Sequence, residues 1–248
     1  MRTRIAHVLV VGGGVLALSL PAVAQGVGVP AKSTGSATAQ PTCPSFRAGS
    51  FPKLPKVTNP YFPLNPGDLY TYKGNVKKQP VVDTVYVTHN TKTIDGVTTI
   101  EVRDRVYESG TLTEDTLDWY AQDRRGNVWY FGELATQLPD GTTTGSWTAG
   151  VNGAQPGFIM EASPQVGDNY CQENAPGIAE DAGQVVSLTA TRSVPYGSFT
   201  NVLETKDYSL IEPHSEHKFY ARGIGMLEAL ALNGGSEDIQ LYTIQHNQ

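Results

Sequence analysis

The sequence has little of what usually announces a function. It contains 2 cysteines, 3 methionines and 3 tryptophans in 248 residues, and its 18 lysines and arginines are outnumbered by 24 acids. A net charge of -6 repels phosphate backbones, and no basic stripe interleaved with aromatics offsets it, so nucleic acid is not an expected partner. No G-x-S-x-G nucleophile elbow is present. Neither a Gly-Lys-Ser/Thr phosphate loop nor a G-x-G-x-x-G in a strand-to-helix context occurs, which leaves nucleotide binding unsupported. Long apolar runs are scarce as well. The one at the start follows Arg2 and Arg4, extends from about Ile5 to Leu20, and reaches Ala22-Val23-Ala24. That order of basic, apolar and small residues predicts a secretory signal peptide over residues 1–24. The run is interrupted by Gly12-Gly13-Gly14 and is shorter than the roughly 20 residues that span a bilayer. No later segment is apolar enough to span one, and the mature chain, with a charge of about -8, is expected to be secreted or periplasmic.

Residues 25–50 are Gly-, Ala-, Ser-, Thr- and Pro-rich and read as a flexible linker. The linker holds Cys43, and the only other cysteine is Cys171. In an oxidising compartment the two are expected to pair. A reactive thiol would need an adjacent cation, which neither Thr42-Cys43-Pro44 nor Tyr170-Cys171-Gln172 supplies.

Residues 51–248 are long enough for one domain with a sizeable core. Its entry, residues 51–68, carries five prolines and predicts an extended strap. Period-two alternation then dominates: Val81 to Thr88, Val97 to Tyr107, Leu112 to Gln122 and Val128 to Gly132, with an Asp95-Gly96 turn signal between the first two. Val185 to Arg192, Phe199 to Lys206, Lys218 to Arg222, Gly225 to Leu232 and Ile239 to Gln245 continue the pattern. Met226 to Leu232 has helical composition, but the glycines on either side favour a strand. The fold class predicted is all-β: an antiparallel meander forming a strongly curved sheet, half-barrel or barrel, with long loops.

The densest signal is the aromatic hairpin from Asp118 to Glu133. Alternation puts Trp119 on one face against Asp118 and Tyr120, while Trp129 and Phe131 oppose Val128 and Tyr130. With both faces aromatic, either protein covers both or one lines a ligand cavity. Trp119, Tyr120, Trp129, Phe131 and, from the glycine-rich connection of residues 146–160, Trp147 are the candidate ligand-binding residues.

Carboxylates gather downstream at Glu161, Asp168, Glu173, Glu180 and Asp181, as solvated loop charges or as ligands for a hard cation. Two carboxylates about 5 to 10 Å apart would serve a glycosidase, with Asp118, Glu133, Glu173 and Asp181 as candidates. His217, Tyr220 and Arg222 are the alternative catalytic group, suited to a uronate lyase. His214, Glu216 and His217 are the metal candidates, though an extended strand would turn His217 away from the other two. No cofactor is called for; a bound divalent metal is the one compatible addition.

At the hairpin the sequence resembles a family of uncharacterised secreted bacterial β-rich proteins. The shared runs are residues 118–133, 146–160, 164–170, 172–173 and 179–181, within a resemblance that covers about Asn59 to Arg222. The family has no established activity, so the resemblance implies a fold and a compartment and no chemistry. The architecture is also similar to periplasmic lipoprotein-carrier half-barrels. The function expected is a secreted, monomeric binding protein with an aromatic-lined cavity or concave face for a small apolar or sugar-like ligand. A secreted carbohydrate-active enzyme, hydrolase or lyase, and a metal-binding periplasmic protein are the alternatives.

Overall fold

The computed structural model describes residues 40–232 and 237–246. The signal peptide, most of the linker and the Asn233-Gly234-Gly235 turn lie outside the described residues. Among the described residues there are fifteen strands and one 3-10 turn (Ala48–Ser50). A short hairpin, β1 (Val57–Asn59) and β2 (Phe62–Leu64), stands apart in the proline-rich strap. The rest is one antiparallel sheet, whose strands pair in sequence order from β3 (Asp68–Val76) through β4 (Gln79–Ile94), β5 (Val97–Glu108) and β6 (Thr111–Gln122) to β7 (Val128–Gln137). Along β7, its other edge pairs first with β9 (Gln155–Met160) and then with the two-residue β8 (Trp147–Thr148). From β9 the order resumes through β10 (Asn169–Ala175), β11 (Ala179–Val194), β12 (Gly197–Ser209), β13 (Ser215–Ala221), β14 (Gly225–Ala231) and β15 (Glu237–His246). Pairing of β15 with β3 closes a ring of twelve strands, with β8 as the extra one. Closure leaves the ring without the unpaired edges of an open sheet.

The predicted meander is therefore a closed barrel, and residues 226–231 are strand as the flanking glycines indicated. Three strands were not foreseen. The stretch from residue 146 to 175, read as loop, supplies β8, β9 and β10. β9 contains Pro156 and Gly157, and a Cβ at Gly157 would lie 2.4 Å from the carbonyl oxygens of both Cys171 and Gln172. Glycine is what allows β9 to approach β10 so closely. β10 carries Gln172, Glu173 and Asn174 in place of an apolar alternation, which hides it from any hydrophobic pattern.

Ordered structure also begins earlier than residue 51. Thr42 N donates to Asn169 O at 2.9 Å, Cys43 is bonded to Cys171, and residues 44–50 run across the outer face of the aromatic hairpin. There Phe46 and Phe51 meet Trp129 and Phe131 with ring centroids 5.5–6.0 Å apart. The predicted disulfide thus fastens an arm that serves as the lid of the hairpin's outer side.

Candidate functional site

Alternation along each strand decides what fills the barrel, and the filling is unusual. Cross-strand partners share a face. The inward face of β4 carries Asp83 among Val81, Val85 and Val87, and β5 carries Asp104 between Val102 and Val106. On β6 it is Glu114, Thr116, Asp118 and Tyr120 that point inward. Asp118 faces Glu133 on β7, Glu173 on β10 faces Asp181 on β11, and Asp207 on β12 faces Glu216 on β13. Nine carboxylates at 5% exposure or less thus form a belt around the inside, joined by one buried ammonium, Lys218.

The sequence candidates Asp118, Glu133, Glu173 and Asp181 all belong to this belt. A register shift at Gly132 makes that possible. The bulge lets Tyr130 and Glu133, three residues apart, face inward opposite Tyr120 and Asp118. Gly132 has a φ of +126°, and a Cβ there would sit 2.3 Å from Trp147 O. Gly132→Ala is expected to lose about 2–4 kcal/mol in chemical denaturation. Unchanged stability would show that the bulge relaxes freely. A second bulge, between Cys171 and Glu173, turns Gln172 inward beside Glu173, where its amide donates to Asp207 Oδ2 at 3.1 Å.

Hydroxyl, indole and amide donors reach into the belt, Thr116 and Gln137 among them at Glu114. Tyr130 Oη donates to Asp118 Oδ1 at 2.9 Å, Trp147 Nε1 to Glu173 Oε1 at 2.8 Å, and Thr205 Oγ1 to Asp207 Oδ1 at 2.7 Å. Lys218 Nζ lies 3.1 Å from Glu216 Oε1 and 3.3 Å from Asp207 Oδ2. Burial, reinforced by the charges of Glu133 and Asp104, pushes the Asp118 carboxyl well above its usual range. Burial and then Asp181 and Glu133 do the same to Glu173, and burial with Asp104 to Asp83. Asp181 is pushed up to about 6, chiefly by burial, with hydrogen bonds from Glu173 and Ser209 holding it back. Burial alone would lower Lys218, but Glu216 and Asp207 more than reverse this and keep it charged. Burial thus favours the protonated form of Asp83, Asp118, Glu173 and Asp181 relative to the free side chains.

The hairpin aromatics divide as the alternation predicts. Tyr120 and Tyr130 stack inside at 4.9 Å, and Trp147 meets Tyr130 edge-on at 5.4 Å. Trp119, Trp129 and Phe131 face out, and all five candidate ligand-binding aromatics are at most 5% exposed. Only some of them reach an opening. A cleft of 290 Å³ lies beside β7, lined by Trp119, Leu134, Trp147, Val151, Pro176 and Ile178, with Lys92, Ser146 and Asn152 as polar groups. Glu133 is the one acid among its lining residues. Lys92 Nζ sits 3.2 Å above the Trp119 ring, and Leu134 and Val151 are 41% and 52% exposed at the mouth.

The other candidates are not brought together. Glu216 points inward beside Lys218, whereas His217 faces out with Nδ1 2.6 Å from Glu204 Oε1, and His214 lies in the β12–β13 turn. Tyr220 is buried inside, and Arg222 sits beyond β13 with its guanidinium over Tyr61 at 4.7 Å. The lyase group of His217, Tyr220 and Arg222 is thus split between the two faces of the sheet and a turn. Among the described residues no group of three or more His, Cys, Asp or Glu is placed to hold a metal ion. The acids expected in a loop are also redistributed, since Glu173 and Asp181 are strand residues in the core. What sequence reasoning missed are Lys92, Leu134 and Val151, which carry no motif and line one cleft only once β4 to β7 have paired in order.

Together the fold and the cleft define a closed antiparallel β-barrel with an acidic, tyrosine-rich interior and an aromatic-edged opening beside β7. No helix among the described residues is long and apolar enough to cross a membrane. No family model matches the chain, and no curated protein matches it. Among solved structures, it is similar to a chain from Parabacteroides distasonis described as a putative lipoprotein, at 13% identity and a TM-score of 0.43, over 77% of this chain and 100% of that one.

Proposed function

We propose that the protein is an exported binding protein that takes a small apolar or sugar-like ligand in the cleft beside β7. The observation that carries this reading is the pairing of two indole edges, Trp119 and Trp147, with the exposed Leu134 and Val151 at the mouth of a 290 Å³ opening. Apolar walls with a few placed polar groups are the usual composition of a ligand pocket. Export is supported by the N-terminal signal pattern and by the Cys43–Cys171 bond. The run from Asp118 to Glu133 supports membership of the secreted family that the sequence resembles. A glycoside hydrolase of the usual kind needs two carboxylates facing its substrate. The lining offers Glu133 alone, with Asp118, Glu173 and Asp181 behind it, and this favours binding over hydrolysis.

The reading is tested by thermal shift and tryptophan fluorescence against a panel of alkyl glycosides and short-chain fatty acids. A ligand at about 100 times its dissociation constant should stabilise the fold by about 2.7 kcal/mol. Leu134→Asp, at an exposed position, should abolish that shift while leaving the unliganded melting temperature within a degree or two, about 0.5 kcal/mol. Equal stabilisation of the variant would place the ligand elsewhere.

A further inference from the structure

We infer that a second cleft, between the N-terminal arm and the β6–β7 turn, binds an oxyanion, a carboxylate or phosphate carried on a ring whose face can stack on an aromatic side chain. The cleft measures 720 Å³, and Arg47, Arg124 and Arg125 converge on it from the arm and the turn. In a chain where acids outnumber basic residues 24 to 18, three guanidiniums around one opening set up a local field of the opposite sign.

The three arginines have different commitments. Arg124 staples the arm to the turn: its Nη1 donates to Gly49 O at 2.6 Å and its backbone N to Ser50 O at 3.0 Å. Arg47 and Arg125 are exposed, and no side-chain hydrogen bond or ion pair ties either to another described residue. The single acid in the lining, Asp123, does not occupy them. It is 6% exposed, and its oxygens accept from Arg125 N at 2.8 Å, Asn127 N at 3.0 Å, Asn127 Nδ2 at 2.9 Å and Trp129 Nε1 at 3.0 Å. Four N–H donors have already met its charge, so two guanidinium forks are left facing the cleft.

The wall beside those forks is aromatic. Trp129 and Phe158 both line the opening and meet edge-to-face, with centroids 4.5 Å apart. Guanidinium forks match carboxylate and phosphate geometry, and an aromatic wall suits the face of a sugar or planar ring. A uronate would use both halves of the site, a free inorganic anion only the forks, and a neutral sugar only the wall. The arm builds one side of the cleft, so its anchorage through Cys43 belongs to the site.

The test uses the mature, disulfide-intact protein in ¹⁵N-resolved NMR titrations at constant ionic strength, with glucuronate, inorganic phosphate and glucose as probes. Glucuronate should shift the Trp129 indole N–H resonance saturably while those of Trp119 and Trp147 stay in place, phosphate should bind more weakly, and glucose should leave all three unmoved. The double substitution Arg47→Gln with Arg125→Gln, which spares the staple Arg124, should weaken glucuronate about tenfold or more without changing the melting temperature. Equal binding of glucose and glucuronate, retention of affinity in the double variant, or no saturable shift with either anion would overturn the assignment. A Leu134→Asp control separates this site from the cleft beside β7, because it should leave the glucuronate titration unaltered.

Discussion

Acidification from about pH 8 to about pH 5 is expected to raise the melting temperature by about 10 °C or more. The cause is the interior belt. Burial raises the folded-state affinity of Asp83, Asp118 and Glu173 for protons, and Asp181 sits at about 6. In the unfolded chain these groups ionise near pH 4. A group raised on folding contributes stability that is complete below its unfolded value and is lost as the pH climbs through its folded value. Each such group therefore removes about 1.4 kcal/mol per pH unit across that window. Glu161, pushed up to about 7 by burial and Asp168, adds to the loss in the same direction. Asp115 works oppositely. Burial would raise it, but the Arg103 guanidinium at 2.6–2.8 Å holds it below the usual carboxylate range, so its contribution disappears only below about pH 4. Asp118→Asn is the sharper check. The amide oxygen can still accept from Tyr130, and the variant should be more stable than the parent at about pH 8 and no more stable at about pH 5. A melting temperature that stays flat or falls on acidification over this interval would mean that the acids are neutralised in some way other than by protons.

Removing the bridge should produce the second large effect. Cys43→Ser with Cys171→Ser is expected to lower unfolding stability by about 4 to 5 kcal/mol, because a closure spanning 128 residues of sequence strongly restricts the unfolded chain. The variant should also free the arm. Without its covalent anchor the arm keeps the Thr42–Asn169 bond, the Arg124 staple and the aromatic contacts of Phe46 and Phe51. Hydrogen exchange at Phe46 to Phe51 should accelerate relative to exchange in β4 and β5. A loss below about 1 kcal/mol would assign the anchorage to those contacts and make the bond a late addition to an arm already docked.

How much of this was legible in the sequence depends on which side chains face inward. The strands from β3 to β7 and from β11 to β15 carry branched and aromatic residues at alternate positions, and their existence and order could be read directly. β9 and β10 could not, because a glycine chosen for close approach and a run of buried polar residues carry no apolar period. The split of the hairpin was legible, Trp119 on one face and Asp118 and Tyr120 on the other, though not which face lies inside. Strict alternation puts Glu133 with Trp129 and Phe131, and only the Gly132 bulge turns it in beside Asp118. Ring closure is what shows that Glu173 and Asp181, some 40 residues later, meet the same interior. The cysteine pair followed from compartment and count alone. The clefts had no sequence signal, since Lys92, Leu134 and Val151 become neighbours through pairing, and Arg47 joins Arg124 and Arg125 through the bridge at Cys43.

The seam between β15 and β3 sets the order in which the molecule can be finished. Its register runs from Glu237 opposite Val76 to His246 opposite Asp68, joining the last strand to the first of the ring. Every other pairing joins strands near in sequence, but the edge of β3 that β4 leaves open must wait for β15. Such a long-range pairing is slow to form and leaves two adhesive edges exposed in the meantime. Both seam edges stay open to pairing with other chains until β15 is made, so a factor that masks them in that interval favours closure over aggregation.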